Sequence, residues 1–273
     1  VRDVVTRRAR PQAGAMSRNG RVVVAMSGGV DSSVAACLLK EQGYDCVGVF
    51  MRVGVADGPA PAPGTHRHGC CSVTDALDAR AIAGRLGLPF YALNFQADFE
   101  RIIANFVSEY GRARTPNPCV HCNIDLKFGK LLRYAELIDA EFVATGHYAR
   151  IVQRDGAACL ARARHTPKDQ SYVLFGIRRD DLRRCLFPIG ELPDKQAVRE
   201  LAATLDLPVH DKPDSQEICF VPDQDYRRLV AERAPETRRP GDIRDQTGRV
   251  LGRHDGVAGF TIGQRRGLGL AVG

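Results

Sequence analysis

A segment rich in glycine and serine near the start of the chain has the composition of a phosphate-binding loop. It reads MSGGVDSS over residues 26–33 and follows an apolar run that predicts a buried strand. Glycine lets the backbone approach phosphate oxygens closely, and serine hydroxyls and helix N-terminal N–H groups attract anions. The acidic Asp31 fits such a site only when a cation, which we expect to be Mg²⁺, offsets its repulsion of phosphate. The segment therefore predicts a nucleotide site, and it is neither a GxxxxGK[ST] loop nor a GxGxxG loop.

Three cysteines lie in two polar segments and could handle sulfur or a metal. Cys119 and Cys122 belong to TPNPCVHCN at 115–123, and Cys219 belongs to DSQEICF at 214–220. Asn123 is expected to cap a helix over 124–139, so that Cys122 would precede a helix N-terminus, whose dipole stabilises a thiolate. One CxxC pair without a second one disfavours a zinc site. Two interpretations stay open: the three cysteines hold an iron–sulfur cluster with one open iron, or Cys122 and Cys219 form a redox-active pair.

The elements that must position these segments alternate between strands and helices from Arg21 onward. Short apolar runs predict strands over 22–26, 46–51, 90–95 and 141–145. Amphipathic stretches between them predict helices over 33–42, 74–86, 98–110 and 124–139. Strands that are separated by helices of about 10–15 residues indicate βαβ units. We therefore expect an α/β fold, a doubly wound parallel sheet with helices on both faces.

The sequence changes character twice after Gly146. The turn Arg154-Asp155-Gly156 predicts a hairpin, and a helix is expected over 194–205. Beyond about residue 222 the chain is rich in glycine and arginine, with a turn at 245–248, which indicates a small β-rich domain. We expect three parts, which are a disordered basic tail over 1–20, a nucleotide-binding domain over 21–221 and a truncated central β-rich domain over 222–273.

The composition of the 273-residue chain is that of a globular protein, with 44% hydrophobic and 26% charged residues. This excludes a disordered or collagen-like chain, and no apolar run approaches the length of about 18 residues that a membrane span needs. Residues 1–21 hold six arginines and one aspartate, so they contribute +5 of the formal net charge of +7. The charge by itself therefore does not indicate a polyanionic partner. Nine cysteines without an export signal predict a reducing, cytoplasmic location.

The phosphate loop resembles that of the ATP pyrophosphatases (the PP-loop superfamily), which cleave ATP between its α and β phosphates and adenylate a carbonyl oxygen of the substrate. Further motifs follow in order, so that the resemblance covers about 21–273. They are Phe50-Met51, TPNPxxxCN at 115–123, ATGHYAR at 144–150, KDQSY at 168–172, DSQEICFV at 214–221 and FTIGQRRG at 260–267. Together they resemble the tRNA-specific 2-thiouridylase family. This implies a PP-loop domain and a central β domain, followed in the family by a C-terminal β-barrel that this sequence lacks.

The resemblance implies an ATP-dependent tRNA-uridine 2-sulfurtransferase. Such an enzyme adenylates O2 of the wobble uridine (U34) in lysine, glutamate and glutamine tRNAs and replaces that oxygen with sulfur. It implies a monomer that uses ATP and Mg²⁺, receives sulfur from a cysteine desulfurase or a sulfur relay protein, and has no membrane partner. The residues implied to bind ATP are Ala25, Met26, Ser27, Gly28, Gly29, Val30, Asp31, Ser32, Met51 and Gly146.

The same resemblance implies roles for the cysteines. Cys219 matches the residue that carries a persulfide, and Cys122 matches the nucleophile that forms a transient disulfide with it. Cys119 stands where many family members have aspartate, so an iron–sulfur cluster on three cysteines stays an alternative. A PP-loop ligase or amidotransferase that acts on a small molecule is another alternative, and it would need neither Cys122 nor Cys219. The residues implied to contact tRNA are Asn117, Pro118, Cys119, Lys168, Asp169 and Gln170.

Overall fold

The computed structural model describes residues 19–54, 72–214, 218–221, 223 and 225–270. Most of the predicted basic tail, the segment that contains Cys70 and Cys71, and the middle of the DSQEICFV motif lie outside the described residues. Within the described parts of the chain, no helix is long and apolar enough to cross a membrane.

The described residues form nine strands in three sheets. They are β1 (Arg21–Ala25), β2 (Asp45–Arg52), β3 (Phe90–Asn94), β4 (Phe142–Ala144), β5 (Ala149–Arg154), β6 (Ala157–Arg162), β7 (Cys185–Leu186), β8 (Gly241–Arg244) and β9 (Val250–His254). The main sheet has the order β3-β2-β1-β4-β7 and all its neighbouring strands are parallel. This confirms the doubly wound α/β fold, and β1 to β4 lie within one residue of their predicted bounds.

Seven α-helices lie in the same parts of the chain. They are α1 (Val30–Glu41), α2 (Val73–Arg85), α3 (Gln96–Gly111), α4 (Pro118–His121), α5 (Leu131–Leu137), α6 (Lys195–Thr204) and α7 (Tyr226–Arg233). A π-helical segment, Cys122–Lys130, joins α4 to α5. Short 3₁₀ turns occupy Thr166–Lys168, Ser171–Val173, Arg179–Arg184, Pro188–Glu191, Pro235–Thr237 and Val257–Gly259.

The two faces of the sheet are covered by different helices. In β1, Val22 and Val24 pack with residues of α1, α2 and α6, while Val23 packs with residues of α3, α5 and the π-helical segment. This alternation follows from the two-residue period of a strand. The central strand is therefore buried on both faces, as its continuous apolar sequence predicts.

The helix predicted over 124–139 begins earlier than expected. It starts at Pro118 and runs without a break through α4, the π-helical segment and α5 to Leu137. Asn117 is its N-cap, because the Asn117 side chain accepts a hydrogen bond from the Cys119 N–H at 3.1 Å. The prediction that Asn123 caps the helix is therefore wrong, since Asn123 is a buried residue inside it.

The hairpin and the small β-rich region are both present. Asp155 and Gly156 have φ of 50° and 75°, which is the left-handed pair that a two-residue hairpin turn between β5 and β6 requires. Strands β8 and β9 flank the predicted turn at 245–248. Helix α7 was not predicted, and its Tyr226 stacks on Tyr110 of α3 with ring centroids 4.6 Å apart. This contact joins the region after residue 222 to the main fold.

Candidate active site

The phosphate loop lies at the point where the order of the parallel strands reverses. Strand β1 pairs with β2 on one side and with β4 on the other, so that the chain leaves β1 and β4 at the same edge of the sheet. Residues 26–29 follow β1, and Gly146 follows β4. A crevice at the carboxyl ends of such strands is where open α/β sheets bind their ligands.

Hydrogen bonds between serines fix the shape of the loop. The Ser27 N–H donates to Oγ of Ser32 at 3.1 Å, and the two hydroxyl oxygens are also 3.1 Å apart. The hydroxyls of Ser32 and Ser33 both donate to the Gly29 carbonyl, which lies at the N-cap of α1. Helix α1 therefore starts inside the loop, and its N-terminal N–H groups face the same crevice as the serine hydroxyls.

Two glycines are required by close backbone contacts. Gly28 has φ of +73°, and a Cβ placed there would lie 2.2 Å from the Asp75 carbonyl oxygen. A Cβ on Gly146 would lie 2.6 Å from the backbone nitrogen of Ser32. The loop thus packs against α2 on one side and against the residue after β4 on the other, and neither contact leaves room for a side chain.

Asp31 is held by two partners that the sequence analysis missed. The Tyr148 hydroxyl donates to Oδ1 of Asp31 at 2.9 Å, and Nζ of Lys195 donates to the same oxygen at 2.8 Å. Lys195 also contacts Asp214 at 2.8 Å. Burial beside the Asp31 carboxylate raises the pKa of Tyr148, so that this hydroxyl stays protonated and acts as a donor. The cation that offsets Asp31 in this structure is therefore a lysine.

Asp214 collects three basic side chains next to the loop. It contacts Lys195 at 2.8 Å, Lys168 at 2.9 Å and Arg199 at 3.1 Å. Burial acts to raise the pKa of Asp214, but the hydrogen bonds from Lys195 and Lys168 outweigh burial and lower the pKa to about 2. The network links the KDQ motif, α6 and the segment that leads to Cys219.

The depressed pKa of Asp214 predicts an acid-sensitive contribution to stability. Because the folded pKa lies below the unfolded value of about 3.9, the contribution is complete above pH 4 and is lost as the pH falls toward 2. We expect Asp214→Asn to be less stable than the wild type at pH 7, and the difference to shrink between pH 4 and pH 2. Urea midpoints measured across this range test the prediction. The exposed Asp180→Asn variant is the control, and an Asp214→Asn difference that does not change with pH would contradict it.

Lys212 places a second cation against the loop. Its Nζ donates to the Gly28 carbonyl at 2.9 Å and to carboxylate oxygens of Asp75 and Asp78 at 2.7 Å each. Burial acts to lower the pKa of Lys212, but the bonds to Asp75 and Asp78 outweigh it and raise the pKa. Lys212 therefore stays charged and ties α2 to the phosphate loop.

His147 is a structural residue beside the crevice. Its ring is buried, and burial together with the nearby Lys127 ammonium holds the His147 pKa well below its usual range. Nε2 lies 3.4 Å from Nζ of Lys127, and Nδ1 lies 2.7 Å from the Thr145 hydroxyl. Since an ammonium can only donate, Nε2 is the acceptor, and the proton of the neutral ring is on Nδ1.

The helix start at Pro118 determines where the two thiols lie along the helix. Cys119 is the exposed residue in the first turn, whereas Cys122 is half-buried and begins the π-helical segment one turn further on. The prediction that Cys122 directly precedes a helix N-terminus is therefore wrong, and the stabilising effect of the helix dipole applies most strongly at Cys119. π-helical segments are rare and occur mostly at functional sites. Here the π-helical segment begins at Cys122.

Cys219 and Cys122 are anchored by one hydrophobic cluster. Both side chains pack against the core that α3 and the π-helical segment form, and Phe220 inserts into it. The Phe220 ring centroid lies 5.2 Å from that of Phe106 and 5.7 Å from that of Phe99. Cys122 and Cys219 are 97 residues apart in the chain, and both thus pack against the same core cluster.

The other described cysteines divide by burial. Burial raises the pKa of Cys37 to about 11 and the pKa values of Cys46 and Cys185 to about 12, which makes these thiols unreactive. Cys37 and Cys46 are core residues, each 2% exposed. Cys159 is half-buried on the hairpin strand β6.

The side chains of the KDQ motif make contacts within the protein. Lys168 pairs with Asp214, and Asp169 accepts hydrogen bonds from the Ala163 N–H at 2.8 Å and the Ser171 hydroxyl at 2.7 Å. Gln170 accepts a bond from the Tyr148 N–H at 3.0 Å. These bonds attach the motif to the same side of the fold as the Asp31 network.

The oxygen donors near the loop suit a hard cation. Asp31 and the hydroxyls of Ser27 and Ser32 are the kind of ligands that Mg²⁺ takes beside nucleotide phosphates. Among the residues that the structure describes, no group of three His, Cys, Asp or Glu side chains could hold a metal ion.

Comparison with known proteins identifies two family models along the chain. Residues 20–223 match the model described as "tRNA methyl transferase HUP domain", and residues 228–273 match the one described as "tRNA methyl transferase PRC-barrel domain". Two solved structures also show similarity. One is a 4-thiouridine synthetase–RNA complex with bound ATP (TM-score 0.47, 16% identity, 80% of this chain and 51% of that chain). The other is the U34-tRNA thiolase NcsA from Methanococcus maripaludis with its [4Fe-4S] cluster (TM-score 0.44, 18% identity, 80% and 68%).

The most informative relatives are identical to this chain at about half of the aligned positions. The tRNA-specific 2-thiouridylase MnmA of Clostridium perfringens is 50% identical over 254 residues, which are 93% of this chain and 70% of that protein. The MnmA of Carboxydothermus hydrogenoformans is 52% identical over 256 residues, which are 93% of this chain and 69% of that protein. The family models are described as methyl transferase domains, whereas these relatives, at 50% and 52% identity, carry the more specific name. The chain belongs to the tRNA-specific 2-thiouridylase family.

Proposed function

We propose that this chain catalyses the ATP-dependent 2-thiolation of the wobble uridine of tRNA. The observation that carries the proposal is the identity of about half of all residues, over 93% of the chain, with proteins whose name states this activity. The structure adds a phosphate crevice and two cysteine segments that share one core. A small-molecule ligase of the same loop superfamily would need the crevice but would have no use for Cys122 and Cys219.

In the first step, ATP would bind in the crevice after β1 and β4. Ser27, Ser32 and the N-terminus of α1 would bind phosphate oxygens, and Met51 and Gly146 would border the nucleotide. The uridine O2 then attacks the α-phosphorus. The bond between the α and β phosphates breaks, and pyrophosphate leaves. Lys195, which already neutralises a carboxylate at the loop, is placed to offset the charge that develops on the phosphates.

Mg²⁺ would be held at Asp31 together with phosphate oxygens. When bound, it supplies positive charge to the leaving pyrophosphate. Oδ1 of Asp31 accepts hydrogen bonds from Tyr148 and Lys195, so these two side chains orient the carboxylate. Replacing Lys195 would leave Asp31 without its nearest cation and would weaken the alignment of the loop.

In the second step, the adenylated oxygen would be exchanged for sulfur. A persulfide on Cys219 attacks C2 of the uridine, the C2–O bond breaks, and AMP leaves. The Cys122 thiolate then attacks Sγ of Cys219, which breaks the S–S bond to the uridine sulfur and forms a Cys122–Cys219 disulfide. The thiolated tRNA is released, and an external dithiol must reduce the disulfide by two electrons before the next turnover.

A cluster on Cys119, Cys122 and Cys219 is the alternative to the persulfide, and no described geometry favours it. Iron and sulfide analysis after anaerobic purification distinguishes the two, because only the cluster version contains stoichiometric iron.

The sulfur would come from a cysteine desulfurase or a relay protein, and we propose a monomer in the cytoplasm. The proposed domains are 21–221 and 222–273, and Asn117, Pro118, Cys119, Lys168, Asp169 and Gln170 are the proposed tRNA contacts.

The nucleotide products test the adenylation step by itself. We expect unmodified tRNA to stimulate the release of AMP and pyrophosphate, with AMP formed in proportion to the sulfur transferred. Chromatography of α-labelled ATP after incubation with and without tRNA measures this. A tRNA whose wobble position is cytidine is the control substrate. Formation of ADP and phosphate, or AMP formation that does not depend on the wobble uridine, would contradict the proposed function.

A further inference from the structure

Two large aromatic side chains that the proposed mechanism does not use are exposed beside the KDQ motif. Tyr172 is 63% exposed and Phe175 is 71% exposed, while Val173 and Leu174 between them are buried. The chain here makes two successive tight turns. The Leu174 N–H donates a hydrogen bond to the Ser171 carbonyl, and the Ile177 N–H donates one to the Leu174 carbonyl. Both rings are therefore exposed on one short segment of the chain.

The segment that carries these rings is attached to the start of the π-helical segment. The side-chain amide of Asn123, the residue after Cys122, donates to the Val173 carbonyl at 3.2 Å. Gly176 is so close to Ile124 that a Cβ there would lie 2.1 Å from Cδ1 of Ile124. The two rings are therefore fixed in position relative to Cys122, with buried neighbours that leave them little freedom to turn inward.

The surroundings of the rings are basic. Residues 166–184 contain five basic and three acidic side chains. Lys168 pairs with Asp214, Arg184 pairs with Glu136, and Nε of Arg178 lies 3.9 Å from a carboxylate oxygen of Asp181. Arg178, Arg179 and Arg183 are exposed. Exposed aromatic rings next to arginines are the combination by which proteins bind unpaired nucleotides, since the rings stack on bases and the arginines contact phosphates.

We propose that Tyr172 and Phe175 stack on unpaired bases of the tRNA anticodon loop, and that Arg178 and Arg179 contact the adjacent phosphates. The inference rests on the proposed function and names the part of the substrate that this surface takes. A wobble base that leaves the stack to react deprives its neighbours of a stacking partner. The two rings, on the segment that is attached to Asn123, would replace that partner and keep the loop open.

The absence of tryptophan from the chain allows a direct optical test. In Phe175→Trp the single indole reports stacking, because a base that stacks on it quenches its fluorescence. We expect quenching by a tRNA transcript with an unmodified wobble uridine and none by inorganic polyphosphate, a polyanion without bases. Leu137→Trp is the matched control, since Leu137 is 84% exposed on α5 and lies outside the proposed surface. Quenching of both variants alike, or of Phe175→Trp by polyphosphate, would overturn the inference.

Binding measurements separate stacking from charge. Tyr172→Ala and Phe175→Ala are each expected to weaken tRNA binding about tenfold without changing its dependence on salt, and Phe175→Leu should be as weak as the alanine variant. Arg178→Ala should instead reduce the slope of log Kd against log salt by about one. A Phe175→Leu variant that binds like the wild type would show that the ring is not stacked and would overturn the inference. So would Phe175→Trp quenching by the sulfur-donor protein but not by tRNA, since the surface would then bind protein.

Thiolation by the wild type, measured in parallel, keeps this inference separate from the proposed function. Thiolation without quenching of Phe175→Trp refutes only the stacking surface. Quenching by tRNA without thiolation by the wild type refutes only the reaction. In the alanine variants we expect KM for tRNA to rise while kcat at saturating tRNA is retained.

Discussion

Replacing Cys219 with serine is expected to abolish sulfur transfer to tRNA while leaving ATP binding intact. Serine cannot carry a persulfide, so the step that exchanges oxygen for sulfur loses its nucleophile. We expect thiolation to fall by about three orders of magnitude or more, as it does when a covalent catalyst is removed. Cys122→Ser should stop turnover at a different point, with the uridine sulfur still bonded to Cys219. Gel analysis under non-reducing conditions should therefore detect a protein–tRNA adduct in Cys122→Ser and none in Cys219→Ser.

Two further cysteine variants serve as controls for this prediction. Cys159→Ser changes a half-buried thiol on the hairpin and should retain wild-type activity. Cys119→Ser separates the persulfide from the cluster, because a persulfide needs two cysteines and a cluster needs the third. We expect Cys119→Ser to keep most of its thiolation activity and its ability to form the covalent adduct with tRNA. Loss of activity in Cys119→Ser together with loss of bound iron would contradict the persulfide account.

Gly28→Ala is expected to destroy ATP binding. The left-handed backbone of Gly28 alone costs an alanine about 1–2 kcal/mol, and the added Cβ would also lie 2.2 Å from the Asp75 carbonyl oxygen. The loop must therefore move away from α2, and the contact of Lys212 with the Gly28 carbonyl moves with it. A displacement of about 1 Å in a positioning loop can cost a hundredfold, so we expect ATP affinity to fall by about that factor. Isothermal titration with ATP measures the loss.

Gly156→Ala is the matched control for the phosphate-loop variant. Gly156 has nearly the same φ, +75° against +73°, but nothing lies within 4 Å of the position that an added Cβ would take. It should therefore lose about 1–2 kcal/mol of stability through backbone strain and bind ATP normally. If Gly28→Ala bound ATP as tightly as Gly156→Ala, the contact with Asp75 would not position the loop, and the prediction would be contradicted.

The strands and the phosphate loop could be predicted from the sequence because their signals are local. Apolar runs of about five residues placed β1 to β4 within one residue, and the loop composition placed the crevice after β1. The Asp-Gly turn likewise determined the hairpin, since both of its φ values are positive. These signals depend only on neighbours in the chain, which is why they needed no knowledge of tertiary packing.

The partners of the loop could not be predicted, because they come from distant parts of the chain. Lys195 lies 164 residues from Asp31, and Lys212 lies 184 residues from Gly28. Nothing in the sequence around either lysine distinguishes it from a solvated surface residue. The start of the Cys122 helix could have been found, since proline favours the first position of a helix and Pro118 directly follows Asn117. The π-helical segment was not predicted; within it, a Cβ on Gly129 would lie 2.8 Å from the carbonyl oxygen of Ile124, five residues earlier.

Nucleoside mass spectrometry of tRNA tests the central claim most directly. The wild-type chain is incubated with ATP, Mg²⁺, a persulfide donor, a dithiol and a tRNA transcript with an unmodified wobble uridine, and the tRNA is then digested to nucleosides. The account predicts 2-thiouridine that depends on ATP and is absent with Cys219→Ser. Absence of 2-thiouridine with the wild type, or its formation by Cys219→Ser, would contradict the account.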